Sequence, residues 1–290
     1  MEPRFFHRAG IAACLLWATV AGAGPADDLY AVGAAHYVAG RWSLAVEEFQ
    51  QFLEQSPQHA RGGHARFFLG EAFMQLKRRP EALEQYRLLL EEHPQHRYAA
   101  EALFRLGEAS YLLNRGDEAL AHMEKFRREN PNHRLEAYVL PYLGELHYRA
   151  KNPLKAEAFF KQALARCPKG PMVHDCRFGW AKTLQAQDRN EQAARIYAAL
   201  AGDETNPLAD DALFRLGSMH YAAKKHDEAE TVFASLSEQH PDSPFAERAR
   251  LGRGWALYRL KRREEAEKEF RSLLESKTFA EEASFWLGLT

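Results

Sequence analysis

The chain has 290 residues, 46% of them hydrophobic and 27% charged, which excludes wholesale disorder and allows a sizeable core. Its 39 Lys and Arg balance 40 Asp and Glu, and the net charge of −1 argues against a dedicated nucleic-acid binder or a polybasic membrane binder, both of which need excess positive charge. Three cysteines are too few for a disulfide framework or a structural zinc cluster, and no strongly apolar run of about 18 residues follows residue 30, so a polytopic membrane protein is excluded.

The N-terminal segment reads as an address. Arg4 and Arg8 precede an apolar run from Ala9 to Ala21 that includes Leu15, Leu16 and Trp17, and Ala21-Gly22-Ala23 offers small residues for a cleavage point. This is the pattern of a secretory signal peptide over residues 1–23, cleaved near Ala23, with delivery to the periplasm or beyond. Two other readings stand beside it. Ile11-Ala12-Ala13-Cys14 has the form of a lipid-attachment site, although only five residues separate Arg8 from Cys14. The uncharged stretch from Ala9 to Ala26 is alternatively an uncleaved membrane anchor.

From about residue 26 the chain repeats itself. Gly33, Gly70, Gly107, Gly144, Ala181, Gly217 and Gly254 are spaced 37, 37, 37, 37, 36 and 37 residues apart. Ala45, Ala82, Ala119, Ala156, Ala193, Ala229 and Ala266 keep the same register. Four residues beyond each Ala stands a bulky side chain: Phe49, Tyr86, Met123, Phe160, Tyr197, Phe233 and Phe270. Pro57, Pro94, Pro131, Pro168 and Pro241 close five of the units.

Each unit predicts two helices. Leu103, Phe104, Leu106 and Tyr111 recur at helical spacing around the Gly, and Ala119, Met123 and Phe126 do so in the second helix. Pro80 and Pro153 suit first helical positions, Ser43, Asp117 and Asp227 suit caps or first turns, and the closing Pro stops the second helix. The predicted array runs over residues 24–290, with units at about 26–60, 61–97, 98–134, 135–171, 172–207, 208–244 and 245–278, and a partial eighth at 279–290. Pro141 is expected to delay or kink the first helix of unit four. Unit five is one residue short and carries Ala181 in place of Gly. The segment from Phe279 to Thr290 opens an apolar first helix, which suggests a chain that continues.

At these positions the chain resembles the tetratricopeptide repeat family, whose pattern Glu101 to Pro131 spells almost in full. The resemblance covers about residues 26–290 and implies an all-α, right-handed superhelical solenoid of about seven helix pairs plus one further partial helix. The 37-residue spacing and the "ALFRLGEA" opening are similar to envelope proteins of Gram-negative bacteria, in the style of the Tol–Pal coordinator and the outer-membrane assembly lipoprotein families. The chain departs from the former in lacking an N-terminal coiled coil and from the latter in its lipid site, and it has more repeats than either. The resemblance also implies a concave groove lined by the first helices. Positions three before and four after the Gly would face it, which nominates Tyr30, Tyr37, Phe67, Phe104, Tyr111, Tyr148, Phe178, Phe214, Tyr221 and Tyr258. Aromatic rings there supply large, rigid contact area for a peptide or a helix, and the same columns are also consensus packing positions. Glu71, Glu108, Glu145, Lys182 and Trp255, one after the Gly, would vary charge along the groove.

The turns inside the pairs are basic, with Lys77, Arg78, Lys151, Lys224, Lys225 and Lys261 among others, which suits helix C-termini or a weak contact with a membrane surface or cell-wall polymer. Cys167 and Cys176 flank the joint between units four and five and are either disulfide-bonded or two free thiols. Thirteen histidines are scattered without metal-ligand spacing, so neither a metal nor a cofactor is expected. No phosphate loop, nucleophile elbow or acid–base pair is visible, so no catalytic activity on a small-molecule substrate is expected. The function expected is a secreted or periplasmic scaffold that holds a protein or peptide partner during cell-envelope assembly or maintenance. The alternative is an N-terminal module of a larger envelope protein, whether an enzyme, a polysaccharide exporter or an outer-membrane channel.

Overall fold

The computed structural model describes residues 24–203 and 205–290. The signal peptide, the lipid-site reading at Cys14 and nearly all of the anchor reading lie outside the described residues.

The described residues form fifteen α-helices and no strand. They belong to two compact units, Met1–Ala150 and Lys151–Thr290. The first unit holds α1 (Pro25–Val38), α2 (Trp42–Gln55), α3 (Gly62–Gln75), α4 (Arg79–Glu92), α5 (Ala99–Leu112), α6 (Gly116–Glu129) and α7 (Glu136–Arg149). The second holds α8 (Pro153–Arg166), α9 (Val173–Gln185), α10 (Asn190–Ala201), α11 (Ala209–Ala222), α12 (His226–Gln239), α13 (Ala246–Arg259), α14 (Arg263–Arg271) and α15 (Ala280–Leu287). Inside each unit every helix packs on the next in sequence, and successive odd-numbered helices also touch, as α1 does α3 and α11 does α13. Both units are therefore stacks of helix pairs, the class the repeat predicts. Among the described residues no helix is long and apolar enough to cross a membrane.

The column of Gly and the column of bulky residues sixteen positions later meet in space. A Cβ on Gly70 would lie 2.6 Å from the Tyr86 ring, and one on Gly217 would lie 2.7 Å from the Phe233 ring. The bare backbone lets the two helices of a pair close on a fully packed ring, which is the physical basis of the sequence period. On α15 the matching Gly288 meets only carbonyls of its own helix, and Phe285 is 63% exposed.

The tight turn inside each pair is closed by a residue at positive φ: Gly40, Lys77, Asn114, Lys151, Asp188, Lys224 or Lys261. Around Lys77, its own N–H donates to the Met74 carbonyl and the Arg78 N–H to the Phe73 carbonyl, which satisfies the last carbonyls of α3. Ser43, Asp117 and Asp227 lie in first turns, and the N-caps themselves are Arg41, Arg115 and Lys225. Pro141 does not delay α7, which starts at Glu136, 37 residues after α5 begins at Ala99. The start is held by Leu135, whose carbonyl accepts the N–H groups of Tyr138 and Val139 before the Pro is reached.

Two further columns seal the joints between repeats. Tyr98, Leu135, Met172, Leu208, Phe245 and Phe279 are apolar N-caps of first helices. Two residues earlier, His59, His96 and His133 in the first unit, and Asn206 and Ser243 in the second, accept the N–H of the N-cap residue through their side chains. Each column keeps a spacing of 36 or 37 residues over most of its length, so the same register argument finds both.

Candidate functional site

The nominated aromatic residues divide by unit. In the first unit Tyr30 is buried beneath Phe49 and Phe52, with ring centroids 5.8 and 5.6 Å away. Burial pushes its hydroxyl up to about 12. Phe67 is 1% exposed and stacks on Tyr98 at 4.4 Å. Phe104 is fully enclosed by Phe126, Tyr138 and Tyr142. Tyr111 is 2% exposed, 5.2 Å from Tyr142, and takes a hydrogen bond from Arg149 Nη2 at 2.5 Å. The expectation that these four line a groove does not hold. Rings of the pair's own second helix and of the following repeat cover these positions. Tyr37 and Tyr148 keep partial exposure, with Tyr37 against Trp42 and Phe68.

The carboxylates expected to vary charge along the groove are buried as well. Glu71 accepts from the Tyr86 hydroxyl at 2.5 Å and from Arg105 Nη2 at 2.7 Å. Arg105 Nη1 also donates to Glu108, which accepts from the Tyr142 hydroxyl at 3.0 Å. Glu145 accepts from Arg149 Nε at 3.1 Å. Guanidiniums thus pair with all three carboxylates on α3, α5 and α7, and none of the three projects freely toward a partner.

In the second unit the same columns stay partly open. Phe178, Phe214, Tyr221 and Tyr258 are all half-buried. Arg215 lies over the Phe178 ring at 5.2 Å, and Phe214 stacks on Phe245 at 5.2 Å. Tyr221 on α11 lies 6.0 Å from Trp255 on α13, which lies 6.4 Å from Trp286 on α15. Tyr258 meets the same Trp286 at 5.5 Å. Three successive first helices therefore share one run of half-open rings, of which Tyr221 and Tyr258 were legible from the repeat and Trp286 was not.

Cys167 and Cys176 are free thiols in the structure, so the disulfide reading is not the one it adopts. Cys176 is buried on the inner side of α9 and Cys167 caps the end of α8 over Gly170. Burial pushes the Cys176 thiol well up, which keeps it protonated and unreactive. At the other end of α8, beside the α9–α10 turn, Glu157 has the opposite behaviour. Burial raises it, but hydrogen bonds from Lys161, Gln187 and Arg189 outweigh this and bring it down to about 2. Among the described residues no group of three His, Cys, Asp or Glu side chains is placed to hold a metal ion.

The profile of the tetratricopeptide repeat family matches residues 30–97, 178–244 and 233–283, and a second profile of that repeat matches residues 101–133. The chain belongs to the tetratricopeptide repeat family. Among curated proteins none matches it in sequence. Solved tetratricopeptide structures share its fold. One from Parabacteroides merdae is 19% identical with a TM-score of 0.63, over 91% of this chain and 98% of that one. PilF of Pseudomonas aeruginosa is 19% identical with a TM-score of 0.57, over 77% and 95%. YrrB, described as having an unusual peptide-binding site, is 19% identical with a TM-score of 0.53, over 70% and 98%. At such identities the likeness is one of fold.

Proposed function

We propose that this tetratricopeptide protein is a non-catalytic scaffold that captures a peptide or protein segment on the first-helix face of its second unit. One observation carries the reading: Tyr221, Trp255, Tyr258 and Trp286 from α11, α13 and α15 form a contiguous aromatic surface that remains half-open. Rigid rings of this kind give contact area at little conformational cost. Fold alone does not name a function, so the argument rests on this surface. The place of action is the periplasm or another secreted location, supported by the charged, apolar and small-residue order of residues 1–23. The task there is assembly or maintenance of the cell envelope, supported by the 37-residue style of repeat.

In-cell photocrosslinking from position 285, exposed beside Trp286, tests the capture. A discrete partner band is expected that disappears in Tyr221→Ala/Tyr258→Ala while the circular dichroism spectrum is kept. Retention of the band in that variant overturns the reading. Mass determination of the mature N-terminus tests the location, with a start at Gly24 expected.

A further inference from the structure

The aromatic run in the second unit carries unpaired cations. α13 contains Arg248, Arg250, Arg253 and Arg259 and a single acid, Glu247, whose carboxylate accepts from the Ser276 hydroxyl. Arg253 is held between Glu230 and Glu269 at 2.8 and 2.9 Å. Arg248 and Arg259 have no carboxylate partner among the described residues, and both are exposed. Arg248 instead lies over the rings of Phe214 and Phe279, at 5.6 and 5.9 Å. The Tyr221 side chain is the neighbour that most raises the Arg259 guanidinium. A guanidinium resting over rings rather than on a carboxylate keeps N–H groups available for one.

Helical spacing puts these groups on one side. Residues 248, 255 and 259 are seven and four apart, so Arg248, Trp255 and Arg259 follow one face of α13. The Trp255 indole N–H is enclosed and finds no acceptor among the described residues, so the ring contributes apolar contact to this face. We propose that the α11, α13 and α15 face binds an acidic peptide segment, with carboxylates on Arg248 and Arg259 and apolar side chains between them on Tyr221, Trp255 and Tyr258. The proposal rests on the scaffold reading above and specifies the chemistry of its partner.

The geometry also sets a spacing. Eleven residues of helix cover about 16 Å, and an extended peptide spans that distance in about five residues. The acidic positions of the bound segment should lie about that far apart.

A random dodecapeptide display library panned on the purified full chain tests this, followed by fluorescence anisotropy on synthetic copies of the enriched sequences. The expected peptides carry acidic residues about five positions apart with aliphatic or aromatic residues between. Their affinity should fall by about tenfold or more in Arg248→Glu/Arg259→Glu and with rising salt, as for complementary charges at an interface. Lys125→Glu/Arg128→Glu, exposed on α6 of the first unit, should leave it unchanged. Enrichment of neutral or basic peptides, or equal binding of acidic peptides by the charge-reversed variant, overturns the proposal. If those neutral peptides are lost in Tyr221→Ala/Tyr258→Ala, the scaffold reading survives alone. If nothing is enriched, both fall.

Discussion

Arg105 on α5 reaches back to Glu71 on α3, with Nη2 2.7 Å from Oε2, and both side chains are buried. The same guanidinium also serves Glu108, so one cation is shared by two enclosed carboxylates and ties consecutive repeats together. Removing it should cost far more than the pair contributes, because two buried negative charges then face each other. Arg105→Met is expected to lose about 3–5 kcal/mol, read from the urea midpoint by circular dichroism. Adding Glu71→Gln and Glu108→Gln to it should recover most of that loss. A single-variant cost below about 1 kcal/mol would show the network to be solvated.

The joint between α3 and α5 should weaken in acid. His96 Nδ1 accepts the Tyr98 N–H at 3.2 Å, which places the ring proton on Nε2, 3.0 Å from His64 Nδ1. A further proton on either ring would set two N–H groups against each other. Burial, then the neighbouring His64, His93 and Arg97, lowers His96 to about 4. Burial also lowers His64, helped by Arg97 and Arg61. The remaining charges at the joint are Arg66 with Glu92, and Glu101 with Arg134. Because the folded histidines bind protons less readily than unfolded ones, stability from this joint is complete above the ordinary value of 6.5 and is lost as pH falls toward 4. Hydrogen exchange at the starts of α3 and α5 should speed up over that window, relative to α11 and α13. His96→Asn, which supplies the acceptor found at Asn206, should flatten the response.

The turns contain removable strain. Lys224 sits at φ 60°, a left-handed conformation that costs a residue with a Cβ about 1 kcal/mol or more. Glycine adopts it freely but loses more chain entropy on folding, so Lys224→Gly should gain about 0.5–1 kcal/mol. Lys224→Val should lose stability at the same site, since branching at Cβ worsens the clash. Thermal unfolding of the three proteins gives the order Gly, Lys, Val, and a different order would mean the turn relaxes around its side chain.

The helix pairs and their register were legible before any coordinates. Apolar residues three to four apart define helices, and columns 37 residues apart require identical pairs to pack identically, as Gly70 against Tyr86 and Gly217 against Phe233 do. Even Pro141 yielded to that register, because the packing of α7 outweighs one missing donor. His59, His96 and His133 share that 37-residue spacing, but they passed as scattered histidines until the backbone showed them as turn acceptors.

Tertiary structure alone decided which members of one column face solvent. Phe67 and Phe214 hold the same register position, yet Phe67 is enclosed beneath Tyr98 while Phe214 stays half-open beside Phe245 and Arg248. Burial depends on neighbours contributed by the next repeat, and a column read one position at a time does not contain them. The same holds for Arg105, whose partner Glu71 lies 34 residues back, and for Arg248 and Arg259, whose lack of a carboxylate appears only when α11, α13 and α15 are side by side. Period and helix content follow from local spacing, whereas exposure and charge pairing follow from contacts between repeats.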